Sequence, residues 1–207
     1  MPQGGASAHN LDIVGIGASA GGVSAISALL HALPADLPAT VFIATHRDPE
    51  LVSHLADVLS RTTGLRVRIA QGGEPLSPGT CYLSKPGMHL TLDPDQRVRL
   101  VPDGHYPASD INVLFHSLAR HAGPRTVGVI LSGMLSDGAA GLRAIRDAGG
   151  VAMVQDPAEA EFNQMPLSAI AAEGTIDYIG GTRALAGEIC RLLGCTAGTG
   201  DVRGTAG

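Results

Sequence analysis

Short runs of apolar residues alternate along the chain with longer segments in which apolar residues recur every three or four positions. The runs predict buried strands and the periodic segments predict amphipathic helices. Strands are predicted at residues 12–16, 40–45, 126–131 and 151–154, and helices at 22–33, 50–61, 139–148, 164–172 and 184–193. Strands that alternate with helices pair in parallel through right-handed crossovers. The pattern therefore predicts an α/β fold, a doubly wound and mostly parallel sheet with helices on both faces.

The stretch from residue 66 to residue 100 has a different pattern. Four short apolar segments, at 66–69, 80–84, 89–92 and 98–100, are separated by Gly-Gly, Pro-Gly and Asp-Pro-Asp sequences. Such dipeptides are typical of tight turns between strands. We therefore expect an antiparallel β-hairpin excursion at one edge of the parallel sheet.

The 207 residues suit one domain, which we place at residues 12–194. Residues 1–11 form a short N-terminal extension. The Gly- and Thr-rich residues 195–207 are expected to be a disordered tail. No internal repeat is present.

Composition excludes several classes of protein. Hydrophobic residues make up 44% of the chain, but aromatic residues only 3%, so the core must be aliphatic. A net charge of −5, with 14 scattered Lys and Arg, argues against a nucleic-acid-binding surface. Three cysteines without C-x-x-C spacing indicate reduced thiols. The chain has neither the basic, apolar start of a signal peptide nor a membrane-length apolar run, so we expect a cytoplasmic protein.

The first predicted strand leads into a glycine-rich turn that has two functional interpretations. Gly15-x-Gly17-x-x-Ala20 is a loose dinucleotide-binding fingerprint. Gly17-x-Ser19-x-Gly21 matches a nucleophile elbow, in which small neighbours expose a serine hydroxyl between a strand and a helix. A third, structural alternative makes the serine the N-cap of the following helix.

The end of the second strand favours the nucleophile elbow. A dinucleotide site needs an acidic residue there to bind the ribose, whereas this strand ends in Thr45-His46-Arg47. Adjacent parallel strands would put His46 beside Ser19, where the imidazole can accept the hydroxyl proton.

The strand at residues 126–131 is followed by a loop with sequence SGMLSDG, which also leads into a helix. Asp137 of this loop could accept the other N–H of the histidine and stabilise the imidazolium. Its structural alternative is again a helix N-cap. Ser19, His46 and Asp137 on one sheet edge are together best explained as a Ser-His-Asp triad.

No metal site or cofactor is predicted. The four histidines at 89, 105, 116 and 121 show no metal-ligand spacing with carboxylates, and we interpret them as surface or packing residues. The sequence from Asn163 to Pro166 could either reach the cleft or simply begin a helix.

A family resemblance supports the same residues. VGIGASAGG, IATHR, GTCYLSKPGMHLTL, INVLFHSLA and VILSGMLSDGAAGLRAIRDAGG resemble, in order, the catalytic domain of chemotaxis protein-glutamate methylesterases of the CheB type. The resemblance implies Ser19 as nucleophile, His46 as base, Asp137 as orienter and the Met134 backbone N–H in the oxyanion hole. It also implies hydrolysis of glutamyl methyl esters on chemoreceptor signalling helices, and deamidation of glutamine in some members.

The chain departs from the family pattern at three points. Ala20 stands where threonine is common, and Asn112 stands where aspartate is common. A receiver domain usually precedes the catalytic domain, but here only about ten residues precede the first strand. The chain is therefore either an excised catalytic domain or a free-standing relative; we expect the latter, and we expect it to be active without a phosphoryl donor. Two rival functions remain open: a hydrolase of other small esters, and a non-catalytic module that docks on receptor helices.

Overall fold

A computed structural model of the chain describes residues 12–45, 54–104, 109–172 and 176–198. The strands in it are β1 (Ile13–Ala18), β2 (Thr40–Thr45), β3 (Arg66–Ile69), β4 (Thr80–Leu83), β5 (Met88–Leu92), β6 (Val98–Pro102), β7 (Thr126–Ile130), β8 (Val151–Gln155) and β9 (Tyr178–Gly180). The helices are α1 (Gly22–His31), α2 (Leu55–Thr62), α3 (Asp110–His121), α4 (Ala139–Asp147), α5 (Gln164–Ala171) and α6 (Thr182–Leu193).

Seven strands form one parallel sheet in the order β3-β4-β2-β1-β7-β8-β9. From β1, the chain builds outward through β2 to one edge, and then returns to build outward through β7 to the other edge. The strand order therefore reverses beside β1. In open α/β sheets this switch point leaves a crevice at the carboxyl ends of the strands, where ligands bind.

Helices cover both faces of the sheet, as the sequence pattern predicts. Helices α1, α2 and α6 enclose one aliphatic core on one face. Helices α3, α4 and α5, together with the β5–β6 hairpin, enclose a second core on the other face. The central strands are buried on both sides, which explains why they read as continuous apolar runs.

The prediction of antiparallel structure from residue 66 to residue 100 is only half right. β5 and β6 do pair in antiparallel fashion, but β3 and β4 belong to the parallel sheet. The segment between β3 and β4 contains ten residues. This is long enough for the chain to return to the end of the sheet where β3 begins, so that β4 runs in the same direction as β3. The Gly-Gly turn lies within this connecting segment, where the Gly73 N–H donates to the Val98 carbonyl at 2.7 Å.

Helix α3, the short 3-10 helix at Gly123–Arg125 and the short edge strand β9 were not predicted from the sequence. The predicted helix at 50–61 lies partly outside the described residues, and α2 is described from Leu55. The described structure also continues four residues past the expected boundary at residue 194, and Gly198 N–H donates to the Ala32 carbonyl at 3.0 Å. Among the described residues, no helix is long and apolar enough to cross a membrane.

Helices α3 and α4 pack so closely that only a glycine fits between them. A Cβ atom on Gly141 of α4 would lie 2.6 Å from the Phe115 Cβ and 3.2 Å from the Asn112 Cα of α3. Because both of these neighbours are fixed to the helix backbone, a side chain at 141 would force the helices apart. This close approach positions the N-terminus of α3 near the loop that precedes α4.

We therefore predict that Gly141→Ala lowers the free energy of unfolding by about 1–3 kcal/mol, the usual cost of overpacking. Gly187→Ala in α6 is the matched control, since a Cβ there meets no atom within 4 Å. The control should gain up to about 1 kcal/mol from helix propensity. Urea titration followed by circular dichroism measures both. Equal stability of the two variants would contradict the described α3–α4 contact.

Candidate active site

Ser19 lies in the turn between β1 and α1, at the carboxyl edge of the sheet. Its N–H donates to the Ser132 carbonyl at 3.0 Å, and its carbonyl accepts the Gly22 N–H at 2.8 Å. Helix α1 begins at Gly22, and its N-cap position is Gly21, which has φ +68° and makes no side-chain cap. Ser19 is therefore not the N-cap of α1, and the structural alternative for this serine is wrong.

The loop after β7, residues 132–138, lies directly against the Ser19 turn. A Cβ atom on Gly133 would lie 3.1 Å from the Ser19 Cβ and 2.5 Å from the Met165 Cε. Glycine at this position lets the loop backbone approach the serine. The first and third predicted motifs are thus neighbours in the fold.

Two buried polar residues that no sequence motif indicates, Ser132 and Gln155, hold this contact in place. Ser132 donates its N–H to the Gln155 Oε1 at 2.8 Å. Its hydroxyl donates to the Ala20 carbonyl at 2.9 Å and accepts the Phe162 N–H at 3.0 Å. Buried polar groups need such partners to avoid a desolvation penalty. The loop and the serine turn are therefore joined by a satisfied network.

The Asp137 carboxylate lies at the N-terminus of α3. It accepts the Ile111 N–H at Oδ2 and the Asn112 N–H at Oδ1, both at 3.1 Å. It also accepts a hydrogen bond from the Ser109 hydroxyl at Oδ1. The N-cap of the following helix α4 is Gly138, which makes no side-chain cap. Asp137 thus caps α3, a helix earlier in the chain, and not the helix that its sequence position suggests.

The predicted base, His46, lies outside the described residues. The structure does describe the strand that leads to it. In the β1–β2 pairing, Ala18 lies opposite Thr45. Ser19 and His46 therefore each follow a matched strand end, as the prediction assumed.

Residues 134 and 135 of the loop project outward. The Met134 and Leu135 residues are 51% and 70% exposed. Within the described part of the chain, the Met134 N–H donates no hydrogen bond to another group. Such a donor, next in sequence to Gly133, which approaches Ser19, could bind a developing oxyanion.

Leu135 has a backbone conformation that L-residues rarely adopt, with φ +64°. Its N–H donates to the Gln164 Oε1 at 2.9 Å, and its carbonyl accepts the Ser168 hydroxyl at 3.2 Å. Gln164 and Ser168 belong to α5. The Asn163–Pro166 segment therefore both begins a helix and supports the loop of the candidate site.

One group of side chains within the described ranges has a geometry that could hold a metal ion: His89, Asp103 and Asp110. His89 is buried, with Nδ1 2.6 Å from the Asp110 Oδ1 and Nε2 3.4 Å from the Asp103 Oδ1. Sequence spacing does not reveal this group, because the fold brings β5, the residue after β6 and the start of α3 together. The two ring nitrogens face different carboxylates, so the cluster also serves to join the hairpin to α3.

Two cysteines, Cys81 and Cys190, are unsuited to nucleophilic chemistry. Burial raises the pKa of the Cys81 thiol to about 12. Burial, and secondly the Cys195 side chain, raise the pKa of the Cys190 thiol to about 12. Since the thiolate is the reactive form, neither thiol is activated near neutral pH.

These features define a class: an α/β protein with a doubly wound parallel sheet and a candidate site at its switch point, built on a serine turn and a carboxylate loop. Within that class the chain belongs to the CheB methylesterase family, whose sequence model matches residues 14–189.

Similar proteins agree with this membership. Protein-glutamate methylesterase/protein-glutamine glutaminase 4 of Anaeromyxobacter dehalogenans (strain 2CP-C) is 41% identical over 91% of this chain and 54% of its own length. A protein of the same title from the group 3 operon of Rhizobium meliloti (strain 1021) is 39% identical over 82% of this chain and 48% of its own. The chain thus spans about half the length of these curated relatives.

The fold also matches a solved structure. The CheB methylesterase catalytic domain of Thermotoga maritima superposes with a TM-score of 0.81 at 28% identity. The match covers 88% of this chain and 98% of that one. The parallel sheet and the antiparallel hairpin are therefore the architecture of that domain.

We predict that Leu135→Gly preserves or raises stability, by up to about 1 kcal/mol. A left-handed conformation costs an L-residue roughly 1–2 kcal/mol, and glycine's greater freedom in the unfolded chain offsets part of that gain. Leu135→Ala keeps the strained conformation and should not be stabilised. Thermal unfolding measures both variants. A loss above about 1 kcal/mol in Leu135→Gly would contradict the exposed, left-handed leucine.

Proposed function

We propose that this protein is a serine hydrolase that removes methyl esters from glutamate side chains. Ser19 is the nucleophile, His46 the general base, Asp137 its orienter, and the Met134 N–H an oxyanion donor. The observation that carries the proposal is the contact between the Ser19 turn and the 132–138 loop, at the switch point of a chain in the CheB methylesterase family.

The position of Ser19 supports a nucleophilic role. The serine is half-buried, follows a fully buried strand, and does not cap the helix after it. Its backbone is held on both sides by hydrogen bonds to Ser132 and Gly22. A serine fixed in this way needs only a neighbouring base to be activated. The matched strand ends of β1 and β2 favour His46 for that task.

The environment of Asp137 supports the orienting role. Three donors hold its carboxylate in one orientation, and two of them are backbone N–H groups at the N-terminus of α3. An ionised, immobile carboxylate is what a histidine needs for a fixed tautomer and for stabilisation of the imidazolium.

The chemistry proceeds in two steps. The Ser19 Oγ attacks the ester carbonyl while His46 accepts its proton, and the oxyanion is stabilised by the Met134 N–H. The C–O bond to methoxide breaks, and His46 returns the proton to give methanol and an acyl-enzyme. Water then attacks the acyl-enzyme, with His46 again accepting a proton, and glutamate and free Ser19 are released. The same attack on a glutamine amide releases ammonia, the second activity in the titles of the relatives.

The proposed substrates are methylated helices of chemoreceptors, and the proposed location is the cytoplasm. Substrate and location follow from the family resemblance. The three cysteines are free, which suits a reducing compartment. A protein substrate is also consistent with the apolar, exposed Met134 and Leu135 beside the serine.

The test is release of labelled methanol from methylated chemoreceptor cytoplasmic fragments. We expect release by the wild-type protein and none by Ser19→Ala. Gly187→Ala is a fold-neutral control that should retain full release, since it lies in α6 and its added methyl meets no neighbour.

Three other outcomes would redirect the proposal. Turnover of simple aryl esters without methanol release from several receptors would favour a hydrolase of small esters. Receptor binding without turnover of either would favour a docking module. Release that survives Ser19→Ala would contradict the nucleophile.

A further inference from the structure

The side-chain amide of Asn112 has only one orientation available to it. Its Oδ1 accepts the Gly141 backbone N–H at 2.7 Å. A backbone N–H can only donate, so the amide must present its oxygen to Gly141. The amide nitrogen Nδ2 then faces the Ser109 Oγ, at 2.8 Å, and donates to it. The backbone of α4 thus sets the direction of the hydrogen bond between Asn112 and Ser109.

This direction continues from Ser109 to Asp137. An ionised carboxylate is only an acceptor, so the hydrogen bond between Ser109 and the Asp137 Oδ1 must use the serine proton. Because the Ser109 oxygen accepts a hydrogen bond from Asn112, the Ser109 hydroxyl proton remains available to donate to Asp137. The result is a one-way chain: Gly141 N–H to Asn112, Asn112 to Ser109, and Ser109 to Asp137.

We propose that Ser109 and Asn112 are positioning residues for the reaction, which hold the Asp137 carboxylate in the orientation that the catalytic histidine requires. This inference rests on the proposed function. Neither side chain needs to touch the substrate, because both act through Asp137. Asn112 contributes twice, since its backbone N–H also donates to the Asp137 Oδ1 at 3.1 Å.

The side-chain amide of Asn112 sets the direction of the chain of hydrogen bonds. Asn112→Ala removes the donor that orients the Ser109 hydroxyl, while the backbone N–H of residue 112 can still donate to Asp137. Without that donor, the Ser109 hydroxyl can rotate away from the Asp137 Oδ1. Asn112→Ala therefore tests the side chain of residue 112 separately from its backbone.

The test measures kcat and KM for an aryl ester in four variants, beside the wild-type protein and Ser19→Ala. Ser109→Ala and Asn112→Ala should lower kcat about 10–100-fold, the range found when the groups that orient metal ligands are removed. KM should stay within about twofold, because uniform substrate binding is unaffected. Ser109→Thr keeps the hydroxyl, so its kcat should lie within about threefold of the wild-type value. This loss of kcat is much smaller than the one expected for Ser109→Ala.

Ser117→Ala is the matched control for a purely structural effect. Ser117 lies on the same helix, where its hydroxyl donates to the Leu114 carbonyl at 2.7 Å and accepts the Leu92 N–H at 3.1 Å. The variant loses a comparable pair of hydrogen bonds two turns from Asp137. Its melting temperature should fall while kcat does not change.

The outcomes separate this inference from the proposed function. If Ser109→Ala and Asn112→Ala keep full kcat while Ser19→Ala abolishes turnover, the positioning role is overturned and the proposed function stands. An equal loss of kcat in Ser117→Ala also overturns it, because the effect would then follow stability alone. Turnover that is unaffected by Ser19→Ala overturns both.

Discussion

The carboxylate of Asp137 at the N-terminus of α3 is the interaction on which the rest of the site depends. The first N–H groups of a helix have no partner within the helix, and an acceptor from elsewhere must satisfy them. In α3 the N-cap residue Ser109 makes no side-chain cap, and the Ile111 and Asn112 N–H groups donate to Asp137 instead. A loop after β7 is thereby tied to a helix that precedes β7. The bond fixes both the start of α3 and the direction of the carboxylate.

Hydrogen bonds run in both directions between α3 and the start of α4, and they make this pair of helices rigid. Asp137, at the start of α4, caps α3, while Asn112, in α3, accepts the Gly141 N–H of α4. The absence of a side chain at Gly141 lets the two helices come close enough for both bonds. On the other side, Ser132 and Gln155 hold the same loop to the Ser19 turn. Each half of the candidate site is thus fixed by elements of the parallel sheet and its crossovers.

Much of this could be predicted from the sequence. The alternation of apolar runs and periodic segments correctly indicated the parallel sheet, because strands buried on both faces leave no room for polar positions. Ser19 and the Asp137 loop were placed at one sheet edge, since each follows a buried strand. The sequence also contains the signal for α3: Ile111, Leu114, Phe115 and Leu118 follow helical spacing and are buried.

Other features depend on register and close packing, which spacing along the chain does not reveal. The parallel pairing of β3 with β4 depends on where the ten intervening residues run, and the turn residues alone favoured a hairpin. The buried His89 lies between Asp103 and Asp110, which follow it in the sequence by 14 and 21 positions. Ser109 could not be recognised as a partner of Asp137, because 28 positions separate them and only the α3–α4 contact joins them.

The central claim is that the serine turn at the switch point carries an activated nucleophile. It is tested most directly by treating the protein with a fluorophosphonate probe and measuring intact mass, followed by peptide mapping. The account predicts one adduct per chain, on Ser19, and none in Ser19→Ala, although Ser132 and Ser136 lie in the neighbouring loop. Absence of an adduct at Ser19, or labelling that persists in Ser19→Ala, would contradict it.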